Sequence, residues 1–195
     1  MGRDRASRPE AKPLRLFVAF EVPEEVRTGL CRALEPLRER FPKARWVPKR
    51  NQHVTVKFLG STYPRLVEWV HSTAAEVATA HEAFETRVAN LGTFPNARRT
   101  RVLWAGLDDP NARAATIAAS LDRALAREFK LEQRPFTPHL TVARFEPPAA
   151  LDPVEVAFES GAFAVDHLVL FRSHLRRPAP VYEPLATFRL GSDTD

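Results

Sequence analysis

The hydrophobic pattern of the chain switches repeatedly between two periods, and each switch marks an element. Residues 14–22 (LRLFVAFEV) form a compact apolar run, the pattern of a buried strand. Pro23 then opens a helix, where its missing N–H costs nothing. Val26, Leu30, Leu34, Leu37 and Phe41 give that helix one apolar face, and Pro36 should kink or end it early. Residues 52–59 (QHVTVKFL) alternate with period two. Ser61, Thr62 and Pro64 announce a second helix with Leu66, Val67, Val70, Ala74 and Val77 on one side. Two strands follow, 84–94 and 101–107, around the turn-like PNARRT. Asp109 and Pro110 are an N-cap and N1 pair for a helix with Ile117, Leu121, Leu125 and Phe129 at core spacing. Residues 139–145 alternate again, and 162–172 with 181–190 read as a closing pair of strands. This mixed order predicts an α+β fold.

The order contains a repeat. Arg15-Leu16-Phe17-Val18-Ala19 aligns with Arg101-Val102-Leu103-Trp104-Ala105 at an offset of 86, and His53-Val54-Thr55-Val56 aligns with His139-Leu140-Thr141-Val142 at the same offset. Pro23 and Pro110, which open the following helices, are 87 apart. We therefore expect one bilobal domain over 13–190, with a first half of about 14–94 and a second of about 100–172. The two halves should be related by a pseudo-twofold axis. Residues 1–12 read as a polar arm and 191–195 as a tail.

Three His-x-Thr triplets occur. His71-Ser72-Thr73 falls in a helical pattern, where residues two apart do not face each other, so it carries no expectation. The other two lie on alternating strands, where i and i+2 share a face. His53 and Thr55 then share one face while Val54, Val56 and Phe58 pack into the core. His139 and Thr141 do the same, over Leu140 and Val142. A single His on a strand usually has no chemical task; two, each beside a Thr and at matching places in a repeat, would ring one groove. Two imidazoles can give and take a proton at neutral pH, and two hydroxyls can hold an oxyanion. The constellation suits in-line phosphoryl transfer.

Composition narrows the picture. The lone Cys31 excludes a disulfide framework and any multi-cysteine metal site, and suits a reducing cytosol. No apolar run reaches the ~18 residues of a membrane span, and the charged N-terminus lacks the apolar core of a secretory signal. Lys+Arg 29 against Asp+Glu 24 leaves a net charge of +5, compatible with an anionic partner. His81, His167 and His174 lack metal-ligand spacing, and no HExxH, P-loop or GxGxxG is present.

The stretches RLFVAFEVP, ARWVPKRNQHVTVKFLG, RVLWAGL, RPFTPHLTVARF and LFRSHLRRPAPVYEPLATFRL, in that order from Arg15 to Leu190, resemble the 2H phosphoesterase superfamily. Within it the chain is most similar to the bacterial and archaeal LigT-like RNA 2′,3′-cyclic phosphodiesterases, the 2′-5′ RNA ligase family. Ala179 departs from the Gly expected before the Pro-x-Tyr. The resemblance implies antiparallel sheets lining a central cleft with helices outside, and an enzyme needing no metal or cofactor. It implies hydrolysis of a terminal RNA 2′,3′-cyclic phosphate to a 2′-phosphate, with His53 as proton donor and His139 as proton acceptor. Thr55 and Thr141 would hold the non-bridging oxygens, and Arg144 would help bind phosphate. In reverse, the same chemistry would ligate RNA 2′–5′, with tRNA halves as substrates.

Secondary candidates surround the motifs. Strict alternation puts Arg144 opposite His139, so reaching the site requires a bulge or a strand end. Lys57 has the parity of His53 without a clear role. Arg134 could meet a phosphate and Phe136 a base, with core packing the alternative for Phe136; Trp46 is a stacking surface or an anchor between lobes. Basic runs at 38–50 and 98–101 would steer RNA, or are simply solvated faces. The expected protein is a cytoplasmic monomer acting on RNA with 2′,3′-cyclic phosphate ends. Two alternatives stand beside it: a non-catalytic RNA-end-binding module on the same fold, and a phosphodiesterase for another cyclic phosphate or a 2′–5′ oligonucleotide.

Overall fold

A computed structural model describes residues 12–109 and 111–191. The arm expected at 1–12, apart from Lys12, the tail beyond Gly191, and Pro110 lie outside the described residues. In chain order the elements are β1 (Leu14–Phe20), α1 (Glu24–Ala33), α2 (Glu35–Arg40), β2 (Arg45–Trp46), β3 (Val54–Thr62), α3 (Val67–Thr79), β4 (Phe84–Thr86), β5 (Val88–Phe94), β6 (Thr100–Leu107), α4 (Arg113–Ala124), β7 (His139–Ala149), β8 (Phe163–Val165), β9 (His167–His174) and β10 (Val181–Arg189).

The helices form where expected, with revised ends. Pro23 is the N-cap of α1, its carbonyl accepting from Arg27 N. Val26, Leu30, Leu34 and Leu37 are buried. The apolar run breaks at Leu34, and Pro36 sits in the first turn of α2, where it displaces no helical hydrogen bond. α4 starts at Arg113, later than the Asp109–Pro110 pair implied. Asp109 caps it from a distance, its carboxylate accepting from Ala114 N and Ala115 N at 3.1 Å each. Phe129 lies past the end of α4 and stacks on Trp69, centroids 6.3 Å apart.

One antiparallel sheet runs β10-β9-β1-β3-β7-β6-β5, with β2 also paired to β7. Two expected strands are each split. The 84–94 segment divides into β4 and β5, and the 162–172 segment into β8 and β9, because β4 and β8 pair with each other in a separate ribbon. Asn90, at φ 64°, adds a bulge to β5.

The main core lies between the sheet and its helices, with Val18, Phe20, Leu30, Leu103, Ile117, Leu121 and Leu140 among its buried residues. A smaller cluster of Phe17, Ala19, Val169 and Phe171, with Tyr182 against it, occupies the opposite face. That face holds the two motifs. β3 and β7 meet at one residue pair, Val54–Leu140, joining four strands on one side (β10, β9, β1, β3) to those around β7 on the other.

Candidate active site

The Val54–Leu140 pair dictates where the motifs go. Both side chains are fully buried, so both point to the core face. Their neighbours His53, Thr55, His139 and Thr141 therefore point to the opposite face. Because the pair is antiparallel, Thr55 and His139 lie to one side of it and His53 and Thr141 to the other. By that register each imidazole is level with the other motif's threonine across the seam.

Aromatic rings from different strands hold each imidazole. His53 stacks on Phe17 of β1 (centroids 4.8 Å, 24°), meets Tyr182 of β10 edge-on (5.2 Å, 81°), and lies 6.1 Å from Phe171 of β9. Its Nε2 is 3.1 Å from Thr55 Oγ1. Burial pushes its pKa down to about 4, against a hydrogen bond to the Asn51 backbone that favours the charged ring. His139 packs against Phe94 of β5 (5.4 Å, 82°) and Trp104 of β6 (5.9 Å, 58°), whose rings also meet each other at 5.3 Å. Its Nδ1 hydrogen-bonds the Thr137 carbonyl at 2.7 Å, leaving Nε2 with the lone pair when the ring is neutral. Burial lowers its pKa, the Thr137 bond opposes that, and the Arg144 charge lowers it further. Trp104 reaches this position because Gly92 lies beneath it: a Cβ at Gly92 would fall 2.0 Å from the indole.

The Arg144 position turns on a bulge. In the β6–β7 register Leu103 faces Ala143 and Trp104 faces Thr141, so Val142 is an extra residue. Alternation slips by one: Ala143 is buried, and Arg144 is exposed on the side of His139 and Thr141. The Arg144 charge acts on both His139 and the Tyr182 hydroxyl, which belong to opposite sides of the seam.

The same device corrects the reading of β3. Val18 faces Lys57 and Ala19 faces Thr55, so Val56 is the extra residue. Phe58 is consequently not in the core. It is 65% exposed, with its ring 6.2 Å from Phe17. Lys57 is turned away from His53 and buried, where it forms an ion pair with Asp122 and donates to the Lys130 carbonyl at 2.8 Å. Asp122 also accepts from Glu132 N, so this cluster moors the start of the loop leading to His139.

The remaining candidates divide. Arg134 is exposed. Phe136 is half-buried and packs against the main core, its alternative to stacking on a base. Trp46 is an anchor: its Nε1 donates to the Phe41 carbonyl at 3.1 Å and its ring meets Phe145 at 6.5 Å. Three of the six cations in the 38–50 basic run are paired, Arg40 with Glu155, Arg45 with Glu146 and Lys49 with Glu24. His71 lies in α3, edge-on to Phe188. A pocket of about 300 Å³ between Arg40 and Phe145 touches none of the motif residues. Among the described residues no group of three or more His, Cys, Asp or Glu is arranged to hold a metal, and no helix is long and apolar enough to cross a membrane.

The aromatic residues Phe17, Phe171, Tyr182, Phe94 and Trp104 were not expected at the site. Phe17 and Val18 are equally apolar, and only the presence of a small second cluster on the far face separates their roles.

Comparison with known proteins gives the site a context. The model of the 2′-5′ RNA ligase superfamily matches residues 26–177. An RNA 2′,3′-cyclic phosphodiesterase of Methanothermobacter thermautotrophicus is 28% identical over 183 residues, covering 91% of this chain and 99% of that protein. One from Thermus thermophilus is 31% identical, covering 91% and 90% respectively. Among solved structures, the Thermus thermophilus protein TT0787 superposes with a TM-score of 0.79 at 28% identity, covering 93% of this chain and all of the other. E. coli LigT complexed with 3′-AMP gives 0.74 at 26% identity, covering 91% of this chain and 98% of the other.

Proposed function

Because the chain belongs to the 2′-5′ RNA ligase superfamily, we propose that it hydrolyses the 2′,3′-cyclic phosphate at an RNA end to a 2′-phosphate. The observation that carries this is the Val54–Leu140 seam, which sets two imidazoles and two hydroxyls on one face. His139, kept neutral by burial and by Arg144 and aimed by the Thr137 carbonyl, takes a proton from the attacking water at Nε2. The water oxygen bonds to phosphorus and the P–O3′ bond breaks. His53 in its imidazolium form gives its proton to the leaving O3′. Its low pKa makes it a strong donor once charged, and the incoming phosphate anion favours that charged form. Thr55 and Thr141 hydroxyls hydrogen-bond the non-bridging oxygens, and Arg144 offsets the charge that builds there. The turnover leaves His139 charged and His53 neutral, and exchange with solvent resets both.

With the 5′-hydroxyl of a second RNA in place of water, attack on the same phosphorus with loss of O3′ would join the two RNAs 2′–5′. The substrates on this reading are cytoplasmic RNA ends, tRNA fragments among them. We further read 14–94 and 100–172 as duplicated halves; the matching bulges at Val56 and Val142 support it. The reading assigns every proton movement to an imidazole and so requires no metal. Incubation with cyclic-phosphate RNA in excess EDTA tests it. Full turnover by the unsubstituted protein is expected, with His139→Ala slower by about 10²–10⁴-fold; RNA binding without turnover would favour a non-catalytic end-binding module.

A further inference from the structure

Past the His53 level, the same face of the sheet carries a second, polar row. Arg15 lies two residues before Phe17 on β1, on the same face, and pairs with Ser61 of β3. Ser173 lies two residues after Phe171 on β9 and pairs with Tyr182 of β10. Leu16 pairs with Arg172, so Arg15 and Ser173 are the next residues beyond that pair on adjoining strands. Ser61, Arg15, Ser173 and Tyr182 thus span four strands as one line of hydrogen-bond donors. A two-residue step, on the order of 7 Å, separates this line from the Phe17–Phe171 row that carries His53.

Two observations join the line to the site. Tyr182 sits edge-on to His53, while the charges of Arg15 and Arg144 both act on its hydroxyl. Beyond the line, the β9–β10 loop exposes Arg176 and Arg177, which have no carboxylate partner among the described residues. Asn51 Nδ2 donates to the Pro180 carbonyl at 2.8 Å, tying this loop to the residue two before His53. The acid on β10, Glu183, pairs across to Arg172 and bonds His174, on the opposite face from Arg15. On the cleft side, the row beyond Phe17 and Phe171 therefore carries donors and a cation and no carboxylate.

We propose that the Ser61–Arg15–Ser173–Tyr182 line binds the phosphodiester on the 5′ side of the terminal nucleotide, with Arg176 and Arg177 meeting the phosphates beyond it. The protein then selects polymeric RNA ends over free nucleoside 2′,3′-cyclic phosphates. This rests on the reading given under Proposed function and deepens it by one subsite.

The test measures kcat/KM on a nucleoside 2′,3′-cyclic phosphate and on a short oligoribonucleotide ending in the same cyclic phosphate, across a range of salt. The unsubstituted protein is expected to prefer the oligonucleotide. Arg15→Gln should lower kcat/KM for the oligonucleotide about tenfold more than for the mononucleotide and reduce its salt slope by roughly 0.7, one single-strand phosphate contact. Arg15→Lys should restore most of the difference, which a folding defect would not. Arg176→Ala with Arg177→Ala should act in the same direction. Equal losses on both substrates, or no preference in the unsubstituted protein, overturn the subsite and leave the hydrolytic reading standing. Absence of turnover on both substrates overturns that reading and the subsite with it.

Discussion

Val56 and Val142, 86 positions apart, are each the extra residue of a β-bulge immediately after a motif threonine. Each bulge turns the next residue into the core and the one after it out to the cleft. Lys57 and Ala143 are buried in consequence, while Phe58 and Arg144 face the site. One device thus places an aromatic ring on one side of the seam and a cation on the other.

The Arg144 guanidinium should act on binding and on proton transfer together. In Arg144→Gln the positive charge that lowers the His139 pKa is gone, so that pKa rises toward the ordinary imidazole value. The pH–kcat/KM profile should move to higher pH, and KM should rise at least about tenfold for loss of a charge-assisted phosphate contact. An unchanged profile would place the Arg144 charge away from His139.

Lys57 and Asp122 should be unequal in stability experiments. Asp122→Ala leaves a buried ammonium unpaired and should cost about 3–5 kcal/mol in denaturant unfolding. Lys57→Met removes the charge, keeps the apolar stem, and leaves Asp122 its bond from Glu132 N, so it should cost clearly less. Equal losses would mean that the ion pair is not the reason Lys57 is tolerated in the core.

Much of this was legible in sequence, and the boundary is physical. The α1 face and both motif strands follow from local periodicity, because each buries one face against the same core. A bulge has no local signature; it exists only relative to a partner strand. Alternation therefore put Phe58 in the core and Lys57 beside His53. The 84–94 strand divided because β4 pairs with β8, some eighty residues away, a choice nothing within 84–94 records. The pairing of Arg40, Arg45 and Lys49 could not be read within 38–50, because Glu155, Glu146 and Glu24 all lie outside that run.

Gly92 should be intolerant of even one methyl group. Gly92→Ala sets a Cβ against the Trp104 indole, and overpacking of this kind costs about 1–3 kcal/mol. Because Trp104 also flanks His139, the variant should lose kcat as well as melting temperature. A variant with unchanged activity would separate the indole from the positioning of His139.

His53 should make the fold sensitive to acid. Its folded pKa of about 4 lies below the ordinary value of 6.5, so the unfolded chain binds the extra proton between those limits. Its contribution is fully present above pH 6.5 and is lost as the pH falls through 4, amounting to about 3 kcal/mol. His53→Gln should lose correspondingly less stability than the unsubstituted protein between pH 7 and pH 4, measured by urea unfolding. Parallel curves for the two proteins would contradict the depressed pKa.

In the proposed turnover water attacks from the His139 side while O3′ leaves toward His53. Identification of the phosphate position in the product, from a cyclic-phosphate oligoribonucleotide treated in EDTA, tests it most directly. A 2′-phosphate is expected; a 3′-phosphate would mean that the other ester bond breaks and would rule out this path.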